Sequence, residues 1–458
     1  MSQGLYSDWN IKKEGKFMLK QHPRALSYIF FTEMWERIGF YTLMAILVLY
    51  MDRVLGWSDS RKGDWYGLFL GLCYFFPLVG GWLGDRVFGR LKTVRAGAVL
   101  MALGYVGLAL SSASQTITFS LGLLLVAIGT GIFKVNMSVL VGNIYQDRPQ
   151  LRDAGFNIYY MGVNLGAMVA PLIATLNNAV FNSYHLSFWV AAVGLVLALL
   201  IFQAGRSRLL SADDLRQKNS GQKKTDGQLT PASAAERERL LPAGTAQPAA
   251  DISGRILALI ILFAIVILFW IAFYQNGFAL TLFAARSTVL KSWLRPETYQ
   301  FFEPFFILVL TPVLLLLLDR LRRRGKEPST PRKIFLGMIF MTAAMFIMVV
   351  ACLKGGNQDQ NIMSPLWLIS TYFVVTIAEI LISPMGLSYV SKVAPATISG
   401  LMMGGWYLAI SFGSYGSGLL GKFYSRLAHH QFFLLLAALL ALAALLVGLS
   451  IKKLERYS

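Results

Sequence analysis

About twelve apolar stretches, most of them longer than a bilayer crossing requires, recur along the chain near 27–52, 62–84, 93–111, 117–140, 157–177, 186–204, 256–285, 297–319, 334–354, 365–390, 399–421 and 432–451. A hydrocarbon core is spanned by a helix of roughly 20 residues. Backbone polar groups in lipid must be satisfied within the chain, which for segments of this length leaves the α-helix. The pattern predicts an all-α integral membrane protein with about twelve transmembrane helices. Composition agrees: 56% of the 458 residues are hydrophobic and 14% are charged.

The net charge of +19 does not point to nucleic acid, because the basic residues sit in alternate loops instead of on one polar face. Lys12, Lys13, Lys16 and Lys20 precede the first span, Arg86, Arg90, Lys92 and Arg95 follow the second, and Arg320, Arg322, Arg323 and Arg324 follow the eighth. Positive loops face the cytoplasm, so both termini are expected there. The basic N-terminus shows no A-x-A-like cleavage site, and the first span reads as retained. Cys73 and Cys352 fall in spans of different halves, which argues against a structural disulfide.

Residues 205–253 are rich in Ala, Gln, Ser, Pro and charged residues and contain no run of spanning length. They read as a cytoplasmic linker. The expected organisation is an N-terminus 1–26, a six-helix bundle 27–204, the linker, a second bundle 254–451 and a tail 452–458. "GGWLGDRVFGRLKTVR" (80–95) after span 2 and "LLLLDRLRRRGK" (315–326) after span 8 each place an Asp-Arg pair at a helix exit, as a duplicated six-helix unit would.

Six charges fall well within spans, away from their ends: Glu33, Glu36, Arg37, Lys134, Glu303 and Glu379. Such residues usually face a cavity and carry function, or hold helices together as buried pairs. Glu33 and Lys134 each lie about 9 Å from the cytoplasmic end by helical rise, and Glu379, about 16 Å in, shares the depth of Arg37. Glu33 and Arg37 are i,i+4 neighbours. One half thus offers cations and the other an anion. Four carboxylates against two cations leave excess negative charge, so at least one Glu is expected to carry a proton during part of a working cycle. That makes protons the expected coupling ion. His22, His185, His429 and His430 all lie away from mid-span.

No H-E-x-x-H, G-x-S-x-G or Cys/His cluster occurs, so neither an enzyme nor a metal site is expected. A signalling scaffold would leave the matched charges in two related halves unexplained.

Gly81 through Arg90, with Asp85 and Arg86, resembles the G-x-L-x-D-R-x-G-R loop of the major facilitator superfamily. "EMWER" (33–37) resembles the first-span signature E-x-x-E-R-F-x-Y-Y of the proton-dependent oligopeptide transporter (POT/PTR, peptide transporter) family within it. "GTGIFKVNMSVLVGNIY" with Lys134, "DAGFNIYYMGVNLGA" with Asn164, "FW" at 269–270, "AEILISPMGLSYVSKVAP" with Glu379 and "MMGGWYLA" with Trp406 are similar to the same family's spans 4, 5, 7, 10 and 11. The resemblance implies the major facilitator fold, two six-helix bundles around a central cavity, and proton-driven symport of di- and tripeptides by alternating access. It implies no cofactor, a functional monomer, and an inner (plasma) membrane location.

In such transporters Glu379 would receive the peptide amino terminus, while Arg37 and Lys134 attract the carboxylate. A zwitterion needs opposite charges a short distance apart, which these residues can supply. Phe40, Tyr41, Trp270 and Trp406 are expected to line side-chain pockets or to pack helices. The resemblance is incomplete. Ile38, Phe40, Met44, Val135 and Gly67 depart from the family pattern, and no two extra helices fit in 205–253. Tyr274 stands where many members carry an acid, while Glu303 stands where Asn is common. A transporter of nitrate, drugs or another organic solute on the same scaffold is the rival reading. The candidate proton-coupling residues are Glu33, Glu36, Arg37, Lys134 and Glu303. The candidate substrate residues are Arg37, Phe40, Tyr41, Lys134, Asn164, Trp270, Tyr274, Glu303, Glu379 and Trp406.

Overall fold

The computed structural model describes residues 22–213, 252–395 and 398–457. Most of the linker, the four lysines before the first span and part of the basic N-terminus lie outside them. Among the described residues are twelve helices of 21 or more residues. In chain order they are α1 Ala25–Arg53, α2 Asp59–Trp82, α3 Arg90–Leu110, α4 Thr116–Asn143, α5 Arg152–Phe181, α6 Tyr184–Ala204, α7 Ile252–Phe273, α8 Phe302–Arg323, α9 Thr330–Lys354, α10 Pro365–Val393, α11 Ser399–Gly421 and α12 His429–Glu455. Eleven lie in segments long and apolar enough to cross a membrane. The twelfth, α11, is diluted by glycine and serine, because it packs against the other half and not only against lipid.

Side-chain hydroxyls start several helices where the chain leaves an interface: Ser58 Oγ accepts from Arg61 N at 3.4 Å and Ser183 Oγ from Leu186 N at 3.3 Å. The loop between α2 and α3 is fixed more firmly. Gly89 has φ +79°, and a β-carbon there would meet the Asp213 carboxylate at 2.9 Å. Asp213, at the start of the linker, accepts from Arg90 N at 3.2 Å and Leu91 N at 3.4 Å, capping α3. Asp85 pairs with Arg90, and Arg90 Nη1 donates to Asn136 Oδ1 at 3.3 Å. The Gly-Asp-Arg loop read from the sequence therefore ties α2, α3, α4 and the linker together.

Helix pairing shows the duplication. In the first half α1 packs on α5 and α6, and α3 packs on α4 and α6; in the second, α7 packs on α11 and α12, and α9 on α10 and α12. The halves meet through α2 with α11 and α5 with α8, which are equivalent pairs under the same repeat. Burial differs sharply along the chain: 83% of the apolar window of α1 is buried against 6% for α8. α1 is the innermost element, while α8 turns Leu315, Leu316 and Leu317 outward.

One expectation changes. The stretch 256–285 is not one continuous helix. α7 ends at Phe273, a 3-10 turn covers Tyr274–Asn276, and a short helix follows at Ala279–Arg286. Its length exceeds what the bilayer needs, and Asn276 and Gly277 weaken the helix where it breaks.

The hydrogen bonds and ion pairs found between the halves gather toward the end where α1 finishes and α2 begins, here termed the sealed end. Arg286 bridges to Asp52 at 2.8 Å and Asp59 at 3.0 Å, and Lys62 pairs with both carboxylates. Lys422 pairs with Asp64. Gln300 Nε2 donates to Met44 O at 3.2 Å and Ser411 Oγ to Gly71 O at 2.7 Å. Close approach of α2 to α11 needs glycine: a β-carbon on Gly67 would lie 2.7 Å from the Tyr415 carbonyl oxygen, and one on Gly63 2.4 Å from that of Gly418.

Candidate functional site

Glu33, Glu36 and Arg37 occupy one turn of α1 and are almost wholly buried. Helical spacing puts Glu33 Oε1 3.2 Å from Arg37 Nε, and Glu36 takes a hydrogen bond from the same nitrogen. Glu33 Oε2, Glu36 Oε1 and Arg37 Nη2 are buried without hydrogen-bond partners. Two carboxylates thus share one guanidinium, and part of each group is unsatisfied.

Lys134 makes no ion pair among the described residues. Its Nζ lies 5.3 Å from the centre of the Tyr74 ring, while Arg37, Glu33 and Glu36 act on it through space. Shared depth with Glu33 does place the two in one electrostatic group, as expected, but Arg37 is the direct partner of the carboxylates. Arg37 also lies 5.3 Å over the Phe40 ring. Phe40 stacks on Phe69 with centroids 6.2 Å apart and meets Tyr41 edge-on.

Across the seam, Tyr74 of α2 and Tyr274 of the helix break have ring centroids 5.7 Å apart, and Tyr274 stacks on Trp270 at 5.6 Å. Tyr66 donates to the Tyr274 carbonyl at 2.7 Å, which anchors the break to the first half. Two residues on, Asn276 donates its side-chain N–H to Glu303 Oε2, and Tyr372 of α10 donates to the Asn276 carbonyl at 3.2 Å. The broken α7 therefore carries both an aromatic wall and the hydrogen-bond partner of an α8 carboxylate. Glu379 of α10 has Oε2 buried without a partner. It feels the charge of Glu303 and acts on Tyr74 and Tyr160 of the first half.

Two candidates point elsewhere. Asn164 Nδ2 donates to the Tyr160 carbonyl of its own helix at 2.9 Å. Trp406 is 1% exposed, against Phe263 and Gly386; it packs the second bundle instead of lining the seam. Tyr74, Tyr66 and Asn276 were not singled out from sequence, since a tyrosine or asparagine within an apolar run carries no charge signal. Among the described residues no cluster able to hold a metal ion occurs.

Two related six-helix halves, meeting at one end and carrying unpaired buried charges on both sides of their seam, define a membrane transporter of the major facilitator type. The chain belongs to the POT family, whose model matches residues 91–224 and 243–434. Its members are transporters and not enzymes. An uncharacterized transporter of Bacillus subtilis is 33% identical over 84% of this chain and 85% of its own length. The di-/tripeptide transporter of Lactococcus lactis subsp. cremoris is 30% identical over 88% of this chain and 89% of its own. Among solved structures, a peptide transporter POT in complex with sulfate superposes with a TM-score of 0.82 at 28% identity, covering 95% and 96% of the two chains. A POT family transporter in complex with 5-aminolevulinic acid gives 0.80 at 25% identity, covering 94% and 97%.

Proposed function

We propose that this chain is a proton-coupled symporter that imports di- and tripeptides by alternating access, its charged seam binding the peptide as a zwitterion. The observation that carries the reading is the separation of unpaired charge across the seam: Lys134 without a carboxylate partner in the first half, Glu379 with an unpartnered oxygen in the second. An ammonium and a carboxylate at the two ends of a peptide complete both. The aromatic residues between them, Tyr74, Tyr274, Trp270 and Phe40, offer broad apolar faces that tolerate varied side chains. Lys134, Arg37 and Glu379 are the proposed contacts for the peptide termini.

Protons enter this reading through the carboxylates. Glu33, Glu36, Glu303 and Glu379 outnumber Arg37 and Lys134, and Glu303 has an amide in place of a cation as its partner. Glu303, seated on the break that carries Tyr274, takes the role of a proton site displaced from α7 to α8. The basic loops assign the end bearing Arg90 and Arg320 to the cytoplasm, so the sealed end faces outward and both termini face inward. The protein then works as a monomer in the inner membrane, with residues 27–204 and 254–451 as its moving bundles and 205–253 as their linker.

Uptake of a labelled dipeptide into proteoliposomes, with competition by unlabelled solutes, tests the reading. Dipeptides and tripeptides compete, uptake rises with an inward proton gradient, and a protonophore abolishes accumulation. Competition by nitrate, drug-like cations or 5-aminolevulinic acid in place of peptides would move the chain to another solute on the same scaffold.

A further inference from the structure

Glu297 is as deeply buried as Glu36 yet belongs to no part of the constellation above. It lies in the 3-10 turn Pro296–Phe301 that leads into α8 at the sealed end. A carboxyl group at 0% exposure normally has a cation against it; among the described residues Glu297 has no ion pair, and its Oε2 has no hydrogen-bond partner. Its side-chain partner comes from the other half of the molecule: Asn178 of α5 donates Nδ2 to Glu297 Oε1 at 2.8 Å. Beside this bond, Thr298 Oγ1 meets Thr175 Oγ1 at 2.7 Å, and Arg295 Nη1 donates to the Asn178 carbonyl at 3.2 Å. Three polar contacts therefore close α5 onto the start of α8, and one of them ends on an acid.

The charged and titratable groups facing this acid are Arg53 of α1, Arg295 of its own loop and Tyr184 of α6. Both guanidinium groups act on it through space, but each is directed to a neutral oxygen: Arg53 Nη1 to Tyr184 Oη at 3.1 Å, Arg295 to the Asn178 carbonyl. They soften the burial of an anion without pairing with it. With the seam closed, an ionised Glu297 leaves one charged oxygen without a donor, whereas a neutral acid keeps the Asn178 bond on its carbonyl oxygen and buries no charge. With the seam open, Asn178 and Thr175 depart with α5, and water solvates the carboxylate.

We propose that Glu297 is a proton-binding site that latches the seam between α5 and α8: a proton taken up on Oε2 closes the sealed end, and its loss to water releases it. The site differs from the carboxylates assigned to peptide and proton binding above. The proposal rests on the alternating-access reading and is independent of which solute is carried.

The test is a distance measurement across the latch without solute. Spin labels at Phe181→Cys and Lys291→Cys, both exposed at the sealed end on opposite halves, are placed in a Cys73→Ser, Cys352→Ser background in lipid nanodiscs. Double electron–electron resonance is recorded from about pH 5 to about pH 8. The unmodified latch shifts from the short to the longer separation as pH rises. Glu297→Gln, which keeps the Asn178 bond and cannot ionise, holds the short separation throughout. Glu297→Asp retains a pH-dependent shift and guards against a folding defect in the Gln variant. A pH-dependent shift that persists unchanged in Glu297→Gln, or its absence when Glu297 is intact, overturns the proposal. Loss of peptide competition in proteoliposomes with the distance shift intact would sink the solute reading and leave the latch standing.

Discussion

Lys134 rests its ammonium against the face of Tyr74, 5.3 Å from the ring centre, instead of against either carboxylate of α1. Those carboxylates share Arg37. The two cations of the first half therefore have different partners: Arg37 is paired with buried acids, whereas Lys134 is held by a weak cation–π contact.

This division predicts unequal variants. Arg37→Ala removes the direct partner of two buried carboxylates, a change that typically costs about 3–5 kcal/mol when one member of a buried pair is lost. It should abolish proton-driven accumulation and lower the melting temperature. Lys134→Ala should abolish accumulation as well, with a much smaller change in melting temperature. Uptake and thermal unfolding at matched expression check both; near wild-type accumulation in either variant would remove that residue from the mechanism.

Glu379→Gln removes the anion that the second half is proposed to offer to the peptide amino terminus. A charge-assisted hydrogen bond contributes about twice what a neutral one does, so affinity for peptides with a free amino terminus should fall about tenfold or more. Amino-acetylated peptides should be affected less. Competition curves for the two ligand sets decide it, and an equal loss for both would make Glu379 a structural or proton-binding group.

Glu303→Gln keeps an acceptor for Asn276 and cannot ionise. If Glu303 carries the coupled proton, accumulation against a gradient is lost while counterflow exchange survives, because exchange requires no net proton movement. Normal accumulation across the pH range would return coupling to Glu33, Glu36 or Glu379.

Gly67→Val tests the close approach of α2 and α11. The new side chain has the Tyr415 carbonyl oxygen 2.7 Å from its first carbon, and overpacking of this kind costs about 1–3 kcal/mol. The strain is relieved when the halves part at the sealed end, so the variant should populate the outward-open form. Increased labelling of a cysteine placed at Tyr415 by a membrane-impermeant reagent from outside would register it; unchanged labelling with wild-type transport would show that the helices slide to accept the side chain.

Much of the architecture was legible in the sequence because lipid leaves few alternatives. A long apolar run must become a helix, so the twelve runs correspond closely to α1–α12. The repeated Asp-Arg exits reported the duplication that the helix pairing displays. Charges in apolar runs were equally visible: Glu33 and Arg37, four residues apart, could hardly avoid one another on a helix. The sequence could not reveal which groups meet across the seam, since that depends on how the two halves dock. Only the tertiary structure joined Arg286 to Asp52 and Asp59, set Tyr74 against Tyr274, and brought Asn178 to Glu297. These residues lie near helix ends or are uncharged, where hydropathy cannot separate a solvated group from a buried one. The break at Tyr274–Asn276 was hidden for the same reason: within an apolar run, backbone course is decided by the neighbours that take its freed hydrogen bonds, here Tyr66 and Tyr372.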